Sequence, residues 1–179
     1  TICTSRSFGS LVTDFGELQA TVASFAASCA NKLRGQHSLA SAVTVFVSSN
    51  RFREDLPQYS NGQTRMLPMP TSDTIEITRA ALAVLKEIYR EGISYNKSGV
   101  ILGNITDASC IQQNLFDEVK NRPERMQLMK SIDALNHRFG LRKIHLAVEG
   151  EERQAWHARS EFRSGNYLSD LREILTIQI

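Results

Sequence analysis

Cysteine is scarce in this chain of 179 residues, and the three present (Cys3, Cys29 and Cys110) are odd in number and widely spaced. With no CxxC pair among them, neither a disulfide framework nor a thiolate zinc site is expected, and a reducing cytoplasm is the natural setting. No apolar run approaches the roughly 20 residues that a membrane-spanning helix needs. The opening TICTSRSFG has no basic region followed by an apolar core, so it does not read as a secretory leader. It starts without Met, directly in a strand-like run, as a chain cut from a longer one would. The loops GxGxxG and GxxxxGKS/T that cradle phosphates are missing. The four histidines, His37, His137, His145 and His157, fall in different elements without HxxxH-type spacing, so they do not converge as metal ligands. Cys110 with a distant His would be the remaining nucleophile pair, and no flanking motif supports it. Glu54-Asp55 and Glu151-Glu152 read as solvated loop charges. The expectation is a chain with no active site, no metal and no other cofactor of its own.

Charge of one sign is also lacking. Lys and Arg number 21 against 19 Asp and Glu, a net +2. Residues 1–106 hold 10 basic and 8 acidic side chains, and residues 107–179 hold 11 of each. Any contact with nucleic acid must therefore be local, made by placed cations and backbone N–H groups rather than by a broad field.

What is present is a regular alternation of elements. ICTSRSF (2–8) reads as an opening strand. Asp14 and Glu17 have capping-box spacing, and Phe15, Leu18, Val22, Phe25, Cys29 and Leu33 follow on one helical face, with Lys32 and Arg34 in the last turn and Gly35 at the end. AVTVFVSS (42–49) alternates Val43, Val45 and Val47 as a strand. RFREDLPQYSNG (51–62) reads as a long hairpin loop ending in Asn-Gly, and QTRMLPM (63–69) as its partner strand, with Pro68 placing it at an edge. Asp73 and Glu76 start a second helix whose buried stripe runs through Ile77, Ala80, Ala81, Val84, Leu85, Ile88 and Tyr89, closed by Gly92. KSGVILGNI (97–105) is a fourth strand. The order β-α-β-β-α-β gives an α+β fold of the split βαβ type, a four-stranded sheet with both helices on one face and the other face open to a ligand. This first domain spans 1–106. Residues 107–122 read as a linker, and 123–179 as a small α/β region with a helix through Met129, Ile132, Leu135 and Phe139 up to Gly140, then a short strand, RKIHLAV (142–148).

Two stretches stand out as binding features. In TSRSFG (4–9), Ser5, Arg6 and Ser7 could donate to phosphate oxygens while Gly9 admits a close backbone, although an ordinary polar edge strand would look the same. Arg51, Arg53 and Lys97 stand at strand ends, as solvated charges or as phosphate anchors. In IQQNLFDE (111–118), Leu115 and Phe116 sit together in a polar run. They could fold back as a lid on the core or, with a Gln ahead of them, dock in another protein's pocket.

Taken in order, TSRSFG, the Phe52…Pro57…Tyr59-Ser60-Asn61 loop, PTSD (70–73), YNKSGVILGNI (95–105), QNLFD, QLMKSIDALN (127–136), Trp156 and Tyr167 resemble the C-terminal part of the ImpB/MucB/SamB (UmuC) family of Y-family translesion DNA polymerases. The resemblance covers essentially the whole chain. It implies that residues 1–106 are the little finger, the polymerase-associated domain whose sheet lies along the DNA and grips both backbones independently of sequence. Arg6, Ser7, Phe8 and Gly9 would fill the family's Lys/Arg-Ser-x-Gly run. Gln112, Asn114, Leu115 and Phe116 match the family's sliding-clamp motif, Gln-Leu-x-Leu-Phe, with Gln113 in place of Leu. Residues 123–179 would be the UmuC-type C-terminal region, a place for a UmuD-like subunit. Its usual Ser-Pro-Arg-Tyr-Thr-Thr run reads Ser164-Gly165-Asn166-Tyr167-Leu168-Ser169 here. The carboxylates that hold Mg²⁺ for nucleotidyl transfer belong to palm, fingers and thumb regions that this chain lacks, so the chain is expected to bind DNA in an SOS damage response and to polymerise nothing. A protein-interaction adaptor with little DNA role is the alternative, favoured by the near-neutral charge.

Overall fold

A computed structural model of the chain describes residues 1–109, 121–140 and 142–150. The elements are β1 (Ile2–Val12), α1 (Phe15–Gly35), β2 (Ser38–Ser49), β3 (Ser60–Thr71), α2 (Thr74–Ile88), β4 (Tyr95–Asp107), α3 (Arg122–Phe139) and a short 3₁₀ turn at Ala147–Glu149. Both expected caps form. Asp14 accepts from the Glu17 amide at 2.8 Å, and Asp73 accepts from the Ile75 and Glu76 amides at 2.7 and 3.3 Å. Each thus satisfies donors that a helix start leaves orphaned. At the end of α1 the left-handed residue is His37 (φ 54°), while Gly35 remains inside the helix.

The four strands form one antiparallel sheet in the order β1-β4-β2-β3. β1 and β2 run parallel with β4 between them, and β3 and β4 run parallel with β2 between them, so both crossovers are split βαβ units. Period-2 alternation then sorts the side chains. Val43, Val45, Val47, Val100 and Leu102 face the helices. There they meet Leu18, Val22, Phe25, Cys29 and Leu33 of α1 and Ile77, Ala81, Val84, Leu85 and Ile88 of α2, all buried in one core. Cys29 is part of that core. Its thiol lies against Thr4 Oγ1 at 3.2 Å, and burial pushes its pKa up.

Two readings of the sequence are corrected and one is met. Asn61-Gly62 does not end the hairpin loop but lies inside β3, paired with Val47 and Phe46. Pro68 is in an edge strand, as expected, at an irregularity where Ala40 and Ala42 of β2 face Thr71 and Met66 of β3. RKIHLAV is not a strand. Its backbone is claimed locally: Asn136 bonds the Ile144 amide and carbonyl at 2.8 Å each, and Glu149 accepts from the Leu146 amide at 2.9 Å. Arg142 takes a left-handed φ of 65°, which breaks the extended run.

α3 docks on the helix layer by ion pairs more than by apolar area. Arg34 makes a two-pronged contact with Asp133, Arg125 reaches Asp73, and Arg122 reaches Glu76. Of its apolar residues Met129 is buried, whereas Leu135 and Phe139 of the expected stripe are exposed.

Candidate nucleic-acid interface

Register fixes what the helix-free face of the sheet presents. Read across β1, β4, β2 and β3, its rows are Ser7-Lys97-Ser48-Ser60, then Ser5-Gly99-Phe46-Gly62, then Cys3-Ile101-Thr44-Thr64, and last Gly103-Ala42-Met66. None of these positions carries Asp or Glu, and Lys97 is their one charge. Hydroxyls and glycines dominate, and Thr44 and Thr64 bond each other across the strands at 2.7 Å. A surface of this kind repels no anion and keeps its height low.

The expected contact residues divide between the two faces. Ser5, Ser7 and Lys97 share the open face. Arg6 pairs with Ser98, on the side of the helices, and Phe8 is 7% exposed and belongs to the core. Phe8 can therefore offer a ligand main chain only. After Ser7 the β1–β4 register shifts before Val12, so the half-buried Gly9 lies in the stretch where the ladder breaks. β1 is an edge strand with outward N–H groups, whereas those of β4 and β2 are spent within the sheet. Outward N–H donors thus lie on the edge and not across the sheet.

At the Lys97 end, the β2–β3 loop carries Arg51, Phe52 and Arg53. Arg53 is held by Asp55 through Nε–Oδ1 at 2.8 Å and Nη2–Oδ2 at 2.7 Å. The Arg53 hydrogen bonds hold the Asp55 carboxyl below its usual range, and Asp55 raises the guanidinium. Arg53 is thus a loop brace rather than a free anchor, which leaves Arg51 as the cation there. Gln58 Nε2 ties down the carbonyls of Asn50, Arg53 and Leu56 at 2.8–3.2 Å. Below the loop, Tyr59, Tyr89 and Tyr95 form an aromatic cluster whose hydroxyls bond Ile88, Thr13 and Arg90. This end of the sheet is thereby tied to α2 and to the end of β1.

Phe46 and Gly99 are the pair that reading the sequence missed. An isolated Gly inside a strand was the available signal, since it marks a bulge or a close approach. A concavity of about 320 Å³ lies elsewhere, in the seam between α1, α3 and the 3₁₀ turn, and belongs to the docking of α3. Among the described residues no three His, Cys, Asp or Glu side chains group as a metal site, and no helix is long and apolar enough to cross a membrane. Cys110 and the residues expected to dock, Gln112, Asn114, Leu115 and Phe116, lie outside the described residues, as do Trp156 and Tyr167.

Comparison with known proteins agrees with this layout. The impB/mucB/samB family C-terminal domain matches residues 1–115, and a domain of unknown function (DUF4113) matches residues 126–177. Protein UmuC of Salmonella typhimurium (strain LT2) is 36% identical over 177 residues, covering 99% of this chain and 42% of its own. Protein ImpB of Salmonella typhimurium is 37% identical over 173 residues (97% and 40%), and protein MucB of Escherichia coli 33% over 173 residues (97% and 40%). The chain thus spans about two fifths of the length of the curated relatives it matches. With its sheet domain inside the matched span, the chain belongs to the impB/mucB/samB family.

Proposed function

We propose that this chain is the DNA-gripping and partner-docking part of a UmuC-like translesion polymerase acting in SOS mutagenesis in the cytoplasm. The observation that carries the reading is the open sheet face, free of carboxylates at its paired positions and lined by Ser5, Ser7, Ser48, Ser60 and Lys97. Such a face can take phosphates and sugars without reading bases, the tolerance a polymerase needs when the template is damaged. Lys97 and Arg51 supply charge at one end, Arg6 supplies it from the edge strand, and the hydroxyls and outward N–H groups of β1 complete the contacts. In this reading polymerisation and its Mg²⁺ are assigned to the palm, fingers and thumb of such a polymerase, as the family resemblance implies.

The test is duplex affinity against salt for a labelled primer–template. With about three cations engaged, affinity is expected to fall roughly fortyfold between about 50 and 200 mM salt. Lys97→Ala should weaken binding equally on unrelated sequences and lower the salt slope by about one. Salt-independent binding, or a loss that depends on sequence, would count against the reading. No duplex binding at low salt would favour the adaptor alternative, to which the near-zero net charge of the chain points.

The second activity is docking on the sliding clamp through Gln112, Asn114, Leu115 and Phe116, with residues 123–179 serving a UmuD-like subunit. Leu115→Ala/Phe116→Ala is expected to abolish clamp binding and leave duplex affinity unchanged. Normal clamp binding by the double variant would refute the peptide motif.

A further inference from the structure

Phe46 is the one aromatic side chain among the paired positions of the open face, and it does not stand up from the sheet. Side chains on a strand ordinarily rise perpendicular to it. A phenyl ring doing so would be an obstruction one row away from Lys97, about 7 Å along the strand. Here a Cβ added at Gly99 would lie 2.4 Å from Phe46 Cζ and 2.5 Å from Cε1. The ring therefore leans across β4 into the space that a side chain at 99 would fill. On its other flank the cross-strand neighbour is also glycine, and a Cβ at Gly62 would come within 3.1 Å of Phe46 Cβ. A glycine inside a central strand loses more backbone entropy on folding than alanine would. What Gly99 provides in return is room for the ring.

We propose that Gly99 is a positioning residue for nucleic acid. By letting Phe46 lie flat, it keeps the face low enough for a duplex backbone to reach Ser5, Ser7 and Lys97. Hydroxyl and ammonium contacts to phosphate work only near 3 Å, so a ring standing between them would hold a stiff duplex off the sheet. The inference rests on the DNA-gripping reading and adds to it the residue that sets the height of the surface.

The experiment measures the affinity of the full 179-residue chain for a primer–template duplex by fluorescence anisotropy, with far-UV circular dichroism confirming the fold of each variant. Gly99→Ala is expected to weaken binding about tenfold or more. Ser5 Cβ also lies 2.6 Å from the added methyl, so the same substitution is repeated in a Ser5→Gly/Phe46→Ala background, where both neighbours are cleared. There Gly99→Ala should cost less than about threefold. Equal losses in the two backgrounds would overturn the proposal, because Gly99 would then act through its own backbone; no loss in either would overturn it as well. Should Gly99→Ala fail to fold, Phe46→Trp replaces it: the longer indole meets Ser5 and must rise, with the same tenfold loss expected and wild-type affinity as the refuting result. Ser48→Trp separates the two levels. If it binds normally, the open face is not the interface at all. If it loses binding while Gly99→Ala does not, only the role of Gly99 falls.

Discussion

Replacing Tyr95 with alanine is expected to cost about 3–5 kcal/mol, the range for losing a fully buried aromatic. That is a large share of the roughly 5–15 kcal/mol that holds a domain together. Tyr95 has no exposed surface, packs against Tyr59 and Tyr89 at ring distances of 6.3 and 5.8 Å, and both accepts from the Arg90 amide and donates to its carbonyl, at 2.8 and 3.0 Å. Urea unfolding should show a lower midpoint with an unchanged slope. Tyr95→Phe keeps the packing and loses the two bonds, for about 1–2 kcal/mol. Equal effects of the two variants would mean that the hydroxyl, not the ring, holds the cluster. Burial raises the phenol's pKa, ahead of the opposing bond from Arg90. Its contribution is then complete below about pH 10, the value for an unfolded tyrosine, and is lost as pH rises through the higher folded value. Wild type should accordingly lose stability above pH 10 more steeply than Tyr95→Phe. Because Lys97 lies two residues along β4, this cluster also anchors the end of the sheet that carries the candidate interface.

How much of this could be read beforehand depends on how far each feature reaches along the chain. Asp14 and Asp73 cap helices through amides two or three residues away, and the stripes from Leu18 to Leu33 and from Ile77 to Ile88 follow a local period, so they were legible. The α+β order followed from them. Strand ends were not: the stretches from Gly9 to Val12 and from Ser60 to Gly62 give no apolar alternation, and pairing with Tyr95 and with Val47 and Phe46 is what makes them strand. RKIHLAV had the alternation but lost its backbone partners to Asn136 and Glu149. At the site, period-2 parity already separates Ser5 and Ser7 from Arg6 and Phe8. Treating TSRSFG as one motif blurred a division that the sequence contained. Gly99 inside its strand signalled a close approach, but that Phe46 makes it depends on β4 returning to lie beside β2, the two residues being 53 positions apart in the chain.

Arg34→Ala is expected to release α3 while leaving the sheet domain folded. The guanidinium spans the seam: Nε and Nη2 donate to Asp133 at 2.6 and 2.8 Å, and Nη1 donates to the Ser72 carbonyl and Thr74 Oγ1 at 2.7 and 2.9 Å. Its side chain is 12% exposed and that of Asp133 26%, so water can replace the lost partner only in part. Removing one member of such a pair leaves the other poorly solvated, which we put at about 2–3 kcal/mol after allowing for the exposed side. Against this α3 has little to hold it. Met129 is the buried side chain of α3, and the Arg125–Asp73 and Arg122–Glu76 pairs, part-exposed like Arg34–Asp133, are the ionic contacts that remain. A loss of 2 kcal/mol corresponds to roughly a thirtyfold shift in the docking equilibrium. Hydrogen exchange of the α3 amides should accelerate by about that factor in Arg34→Ala, with exchange in β2 and β4 unchanged. If the whole chain loses protection together, α3 is an integral part of the domain and not an element docked upon it. If nothing changes, apolar contact around Met129, not the ion pair, is what fastens it.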